Sequence, residues 1–139
     1  MRRVQTSTAA ETEALGAEVA EGLDLGDVVL VEGEMGAGKT TFVRGASRAL
    51  GVQGPVTSPT FTVGQRYHGQ VTVAHLDLFR IEQLDAEEPG FLVDYLGPDV
   101  IGFVEWPAAG SEELLALARV AVRVRIAHVG GEKRIVEIE

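Results

Sequence analysis

Cysteine is absent from this 139-residue chain, which excludes disulfides, thiolate chemistry and thiolate-bound zinc. Asparagine is absent too, so the Asn-Lys-x-Asp element that commonly reads guanine beside a phosphate loop has no counterpart. Positive charge is scarce: 12 Lys and Arg face 21 Asp and Glu, a formal charge of −9. Such a surface repels a duplex or a tRNA backbone on average, which argues against unaided binding to DNA or RNA. No run approaches the ~20 apolar residues of a membrane span. The N-terminus, Met1-Arg2-Arg3-Val4-Gln5-Thr6, leads into polar residues rather than an apolar signal segment. The expectation is a cytoplasmic protein that partners neither a membrane nor DNA. With 45% hydrophobic and 24% charged residues, the chain should form one globular domain over residues 1–139, too short for a separate substrate domain.

Lysine is rarer still, with only Lys39 and Lys133. Lys39 stands in the stretch around which the chain is organised. Gly33-Glu34-Met35-Gly36-Ala37-Gly38-Lys39-Thr40, with Thr41 behind it, matches GxxxxGK[ST]. The match lies between a continuous apolar run, Val28 to Val31, and a helix-forming stretch, Thr41 to Leu50, which is the strand–loop–helix context that gives the pattern meaning. Glycines at 33, 36 and 38 let backbone N–H groups turn inward around an anion. Lys39 brings a point charge to the β/γ-phosphates, the helix N-terminus adds partial positive charge, and the Thr40 hydroxyl is placed to ligate Mg²⁺. Glu34, Met35, Gly36, Ala37, Gly38, Lys39, Thr40 and Thr41 are therefore the candidate nucleotide-binding residues.

Ahead of the loop, Val4 to Thr6 suits a short edge strand. Ser7 or Thr8 can cap a helix over 9–23, with Glu11 or Glu13 as capping partner and Ala14, Leu15, Val19, Ala20 and Leu23 as its apolar stripe. Leu25-Gly26-Asp27 turns into the strand 28–32, whose lack of alternation predicts burial on both faces. The helix after the loop should stop at Gly51. Arg44 and Arg48 lie one turn apart on it, as a solvated face or a local basic patch.

Beyond the helix, the Val56-Thr57-Ser58-Pro59-Thr60-Phe61 segment is either a connecting loop or a switch whose Ser58 or Thr60 hydroxyl reaches a phosphate or metal. Residues 61–67 and 71–78 read as a hairpin around His68-Gly69-Gln70. Alternation puts His75, Asp77 and Phe79 on one face. Asp77 there serves either a cap or salt bridge, or the chemistry. Residues 81–96 read as two short helices broken at Pro89-Gly90, and 108–117 as another. Between them an apolar strand, Val100 to Val104, ends in Glu105, and a carboxylate at such a strand end can hold magnesium or its waters beside the loop. Residues 118–128 and 134–139 form a last hairpin around Gly130-Gly131, with Val120, Val122, Val124 and Ile126 towards the core and Arg119, Arg123 and Arg125 outward. The pattern fits a three-layer, P-loop NTPase-type α/β domain, its mostly parallel central sheet carrying antiparallel hairpins. The nucleotide belongs at the carboxyl ends of the strands.

With guanine disfavoured, ATP is the expected nucleotide. The chain is short for the acceptor pocket and Arg-rich lid of a small-molecule kinase, though such a kinase and a nucleotide-gated binding module both stay open. Taken together, Gly33 to Gly45, Ser58-Pro59-Thr60-Phe61, His75-Leu76-Asp77-Leu78-Phe79-Arg80 and Val104-Glu105-Trp106-Pro107 resemble, in order and spacing, the bacterial TsaE (YjeE) family. The resemblance implies an ATPase that works with the proteins TsaB and TsaD to make threonylcarbamoyladenosine at position 37 of tRNA, meeting tRNA only through that complex. It implies Mg²⁺ on Thr40 and Glu105, a requirement for Asp77 in activity, catalytic roles for Lys39 and Glu105, and a nucleotide contact at Thr8. Two positions depart from the family pattern: Phe79 stands where Tyr is usual, and Met35 where Leu is commoner.

Overall fold

The computed structural model describes residues 2–34, 38–56, 64–77, 96–105 and 119–139. In chain order these form β1 (Arg2–Thr6), α1 (Ala9–Glu21), β2 (Asp27–Glu32), α2 (Lys39–Ala49), β3 (Gly64–His68), β4 (Thr72–Asp77), β5 (Val100–Glu105), β6 (Arg119–Gly130) and β7 (Lys133–Ile138). The strands make one seven-stranded sheet in the order β1-β7-β6-β2-β5-β4-β3. Its four central strands, β6, β2, β5 and β4, run parallel, and β3, β7 and β1 are added antiparallel at the edges. This is the α/β architecture of a P-loop NTPase, with its parallel strands in the middle and hairpins at both sides.

Burial on both faces explains the unbroken apolar runs. Val29 and Val31 of β2, Ile101 and Phe103 of β5 and Val73 of β4 share one face with Leu15 and Ala20 of α1 and Phe42, Val43 and Ala46 of α2. Val28, Leu30, Leu76 and Val104 are as fully buried on the opposite face. A central strand sandwiched this way has no solvent side and so needs no polar alternation. Residues 81–95 and 108–117, expected to be helical, lie outside the described residues, and Leu96, expected to end the first stretch, is buried and outside any helix.

Backbone closeness draws the two helices together. A Cβ added at Gly16 would lie 2.2 Å from the Phe42 carbonyl, and one at Gly45 would lie 1.9 Å from the Glu13 carbonyl. Only glycine fits at either position. Thr8 caps α1 by accepting from the Glu11 N–H at 3.2 Å, and Glu11 reaches back to the Ser7 N–H at 2.6 Å. The buried Thr6 and Thr12 hydroxyls, 2.7 Å apart, tie β1 to α1.

The structure corrects several details. α1 ends at Glu21, before Leu23, because the Gly22 and Leu23 N–H groups close i→i−3 on the Val19 and Ala20 carbonyls, at 3.2 and 3.1 Å. Ala14 is exposed rather than part of the apolar stripe. α2 begins at Lys39, two residues early, with Gly38 at its N-cap in the left-handed region (φ 104°). In β6, Val120 and Val122 stand beside consecutive residues Val28 and Val29, so Ala121 is bulged. Because Val28 and Val29 point to opposite faces, Val120 does not share the face of Val122, Val124 and Ile126 as even alternation predicts.

Arg44 and Arg48 form no free basic patch. Arg44 donates to the Val56 carbonyl through Nε and Nη2 at 3.3 and 3.1 Å and pairs with Glu13 at 3.6 Å. Arg48 donates to the Val52 carbonyl at 3.1 Å. The two guanidiniums brace the 52–56 segment, and the switch residues Ser58 and Thr60 beyond it lie outside the described residues. Among the described residues, no helix is long and apolar enough to cross a membrane.

Candidate functional site

The carboxyl ends of β2, β5 and β4 meet the N-terminus of α2, and the sequence candidates that can be placed gather there. β2 runs into Gly33 and Glu34, and the chain returns at Gly38 to start α2. Met35, Gly36 and Ala37 lie outside the described residues. Lys39 folds back over the loop, donating to the Gly33 carbonyl at 2.5 Å and the Glu34 carbonyl at 2.9 Å. Burial holds its ammonium below the usual lysine range, while Glu105, Asp77 and Glu34 pull it back up. A cation placed at N1 opposes the helix dipole, and the first turn of α2 contains no acidic residue and no side-chain cap. That end of the helix therefore suits an anion from outside the chain.

Register brings the acids to the same place. Glu105 pairs with Val31 across β2–β5 and with Asp77 across β4–β5. Glu105 shares the helix-facing side with Ile101 and Phe103, since strand residues two apart point the same way. The Thr40 hydroxyl donates to Glu105 Oε2 at 3.4 Å. An alcohol and a carboxylate are hard oxygen donors of the kind Mg²⁺ takes, and Mg²⁺ usually combines one or two such protein ligands with waters and phosphate oxygens. Among the described residues, no three His, Cys, Asp or Glu converge into an all-protein cage. The donor set present thus fits Mg²⁺ presented with a nucleotide.

Sequence reasoning missed the partner of Glu105. His75, completely buried, hydrogen-bonds through Nε2 to Glu105 Oε2, and its Nδ1 lies 3.3 Å from the Tyr67 hydroxyl. Alternation correctly put His75 and Asp77 on one face, but the neighbour across the sheet depends on β4–β5 register.

A small cleft of about 80 Å³ behind the loop was also missed. It is lined by Ala9 and Thr12 of α1, Gly38 and Thr41, and Glu132 and Arg134 at the β6–β7 turn. Thr41 lines this cleft, whereas the Thr8 hydroxyl is engaged in capping α1.

Comparisons with known proteins converge. The family model for threonylcarbamoyl adenosine biosynthesis protein TsaE matches residues 6–136. A tRNA threonylcarbamoyladenosine biosynthesis protein TsaE from Synechocystis is 38% identical over 107 residues, 69% of this chain and 64% of the relative. The chain therefore spans just under two thirds of that relative's length. The namesake from Mycobacterium bovis is 34% identical over 128 residues, 85% of this chain and 76% of the relative. The crystal structure of Bacillus subtilis YdiB aligns over 97% of this chain and 82% of its own, with a TM-score of 0.76 and 29% identity.

Proposed function

The chain belongs to the TsaE family, and from that premise we propose that it binds Mg·ATP at the α2 N-terminus and hydrolyses it in support of threonylcarbamoylation of adenosine 37 in tRNA, together with TsaB and TsaD. The observation that carries the reading is the approach of the Thr40 hydroxyl to the Glu105 carboxylate beside Lys39. In this reading Gly38 and its neighbours in the loop offer backbone N–H groups to the phosphates, and Lys39 exchanges its loop carbonyls for phosphate oxygens. Thr40 and Glu105 would hold the metal, which when bound would neutralise charge on the phosphates. Asp77, beside Glu105 in register, would accept a hydrogen bond from the attacking water.

Hydrolysis by the chain alone should be slow. Charge developing on the γ-phosphoryl needs more cations than Lys39 supplies, and a finger given in trans is worth roughly 10³ to 10⁵ in rate. Arg80, which could serve either as such a cation or in a salt bridge with Asp77 or Glu82, lies outside the described residues. A charge of −9 also means that tRNA is reached through proteins that hold it. Steady-state phosphate release, measured with and without TsaB and TsaD, tests the proposal. Faster turnover with the partners supports it, and equal rates would remove the coupling.

A further inference from the structure

We infer that His75 is the positioning residue of the metal carboxylate, and that Tyr67 in turn fixes His75. This rests on the Mg·ATP reading above and adds two residues to it. His75 is 0% exposed and Glu105 2%, and a buried imidazole is costly unless its nitrogens are satisfied. Both are, by side chains. Nε2 meets Glu105 Oε2, and Nδ1 faces the Tyr67 hydroxyl at 3.3 Å. That hydroxyl stands 2.8 Å from Gln65 Oε1. The Tyr67 and His75 rings are tilted 42° with centroids 6.1 Å apart. A continuous polar line thus crosses three strands, from β3 through β4 to the end of β5, beside the buried apolar residues Val73, Ile101 and Phe103.

The line ends on one particular oxygen. His75 and Thr40 both contact Glu105 Oε2, so Oε1 is the oxygen left without a hydrogen bond among the described residues. A glutamate has three side-chain torsions to settle, and an unanchored one would have to order itself each time a cation arrived. Anchoring Oε2 to a ring that is itself held at both nitrogens removes that cost. Outer partners of metal-ligating groups act in this way, and losing one typically weakens metal binding about 10–100-fold. Nothing in this role requires His75 to touch nucleotide or metal.

The test uses Mn²⁺ as the probe, titrated into the ADP-loaded full chain with free Mn²⁺ followed by electron paramagnetic resonance. ADP affinity in EDTA is measured in parallel. His75→Leu should weaken Mn²⁺ binding about 10–100-fold while leaving metal-free ADP affinity within about threefold of native. His75→Gln, whose amide nitrogen can stand where the ring Nε2 stands, should restore Mn²⁺ binding to within about threefold. Tyr67→Phe removes only a hydroxyl, so it keeps the question open to measurement should His75→Leu fail to fold, and it should weaken Mn²⁺ about threefold or more. Native Mn²⁺ affinity in His75→Leu, or in Tyr67→Phe when His75→Leu does not fold, would overturn the inference. So would a loss of metal-free ADP affinity equal to the loss of Mn²⁺ affinity. If the native protein itself binds no Mn²⁺ with ADP, the Mg·nucleotide reading falls and takes this inference with it.

Discussion

Asp77 and Glu105 are register partners at the last positions of two adjacent parallel strands, β4 and β5. Their environments differ. Glu105 is buried and engaged by His75 and Thr40, whereas Asp77 is only partly buried. The charges of both favour the protonated form of Lys39.

That difference separates two substitutions. Glu105→Gln should keep nucleotide binding and lose hydrolysis, because the amide preserves shape but cannot neutralise a metal. Phosphate release in the presence of TsaB and TsaD staying within about twofold of native would make the carboxylate structural. Asp77→Asn should also bind nucleotide normally and turn over more slowly, read in the same assay. An Asp77→Asn protein with native turnover would place Asp77 outside the chemistry.

The glycine contact between the helices gives a prediction about stability. A methyl at Gly45 would meet the carbonyl, carbonyl carbon and Cα of Glu13 at 1.9, 2.5 and 2.5 Å. Backbone cannot swing aside as a side chain can, so α1 and α2 must separate. Gly45→Ala should cost about 1–3 kcal/mol or more of unfolding free energy in a denaturant titration. A loss below ~0.5 kcal/mol would mean the helices part freely.

Much of this candidate site is legible in the sequence, for reasons that are local. The glycine-rich motif ahead of α2, the buried strand before it and the acid ending β5 each follow from a few adjacent residues. The apolar run of β2 implied burial on both faces because four successive buried residues, Val28 to Val31, leave no solvent side. The His75–Glu105 bond was not legible, since it joins residues 30 apart in sequence through the register of two parallel strands. Nor was the bulge at Ala121, where local alternation looks perfect and only the pairing with β2 exposes the extra residue. The cleft at Arg134 belongs to the same class, because it needs α1, α2 and the β6–β7 turn in one place.

Lys39 makes a prediction about pH. Burial lowers it from an ordinary value of 10.5, the charges of Glu105, Asp77 and Glu34 notwithstanding. In the folded chain the amine therefore loses its proton at a lower pH than in the unfolded chain. Its burial costs stability wherever both states are protonated, and that cost fades as pH rises from the lowered value towards 10.5. Native stability should accordingly gain on that of Lys39→Ala as pH rises towards 10.5, in paired denaturant titrations. A constant gap, or one that moves the other way, would contradict the shift.

The central claim is that Lys39 and the α2 N-terminus hold the phosphates of Mg·ATP. Calorimetric titration of Mg·ATP into native and Lys39→Ala protein, with matching circular dichroism spectra, tests it most directly. The account predicts clear binding by the native chain and none detectable by the variant. Equal affinity in the two would contradict it, and would remove the loop from the mechanism.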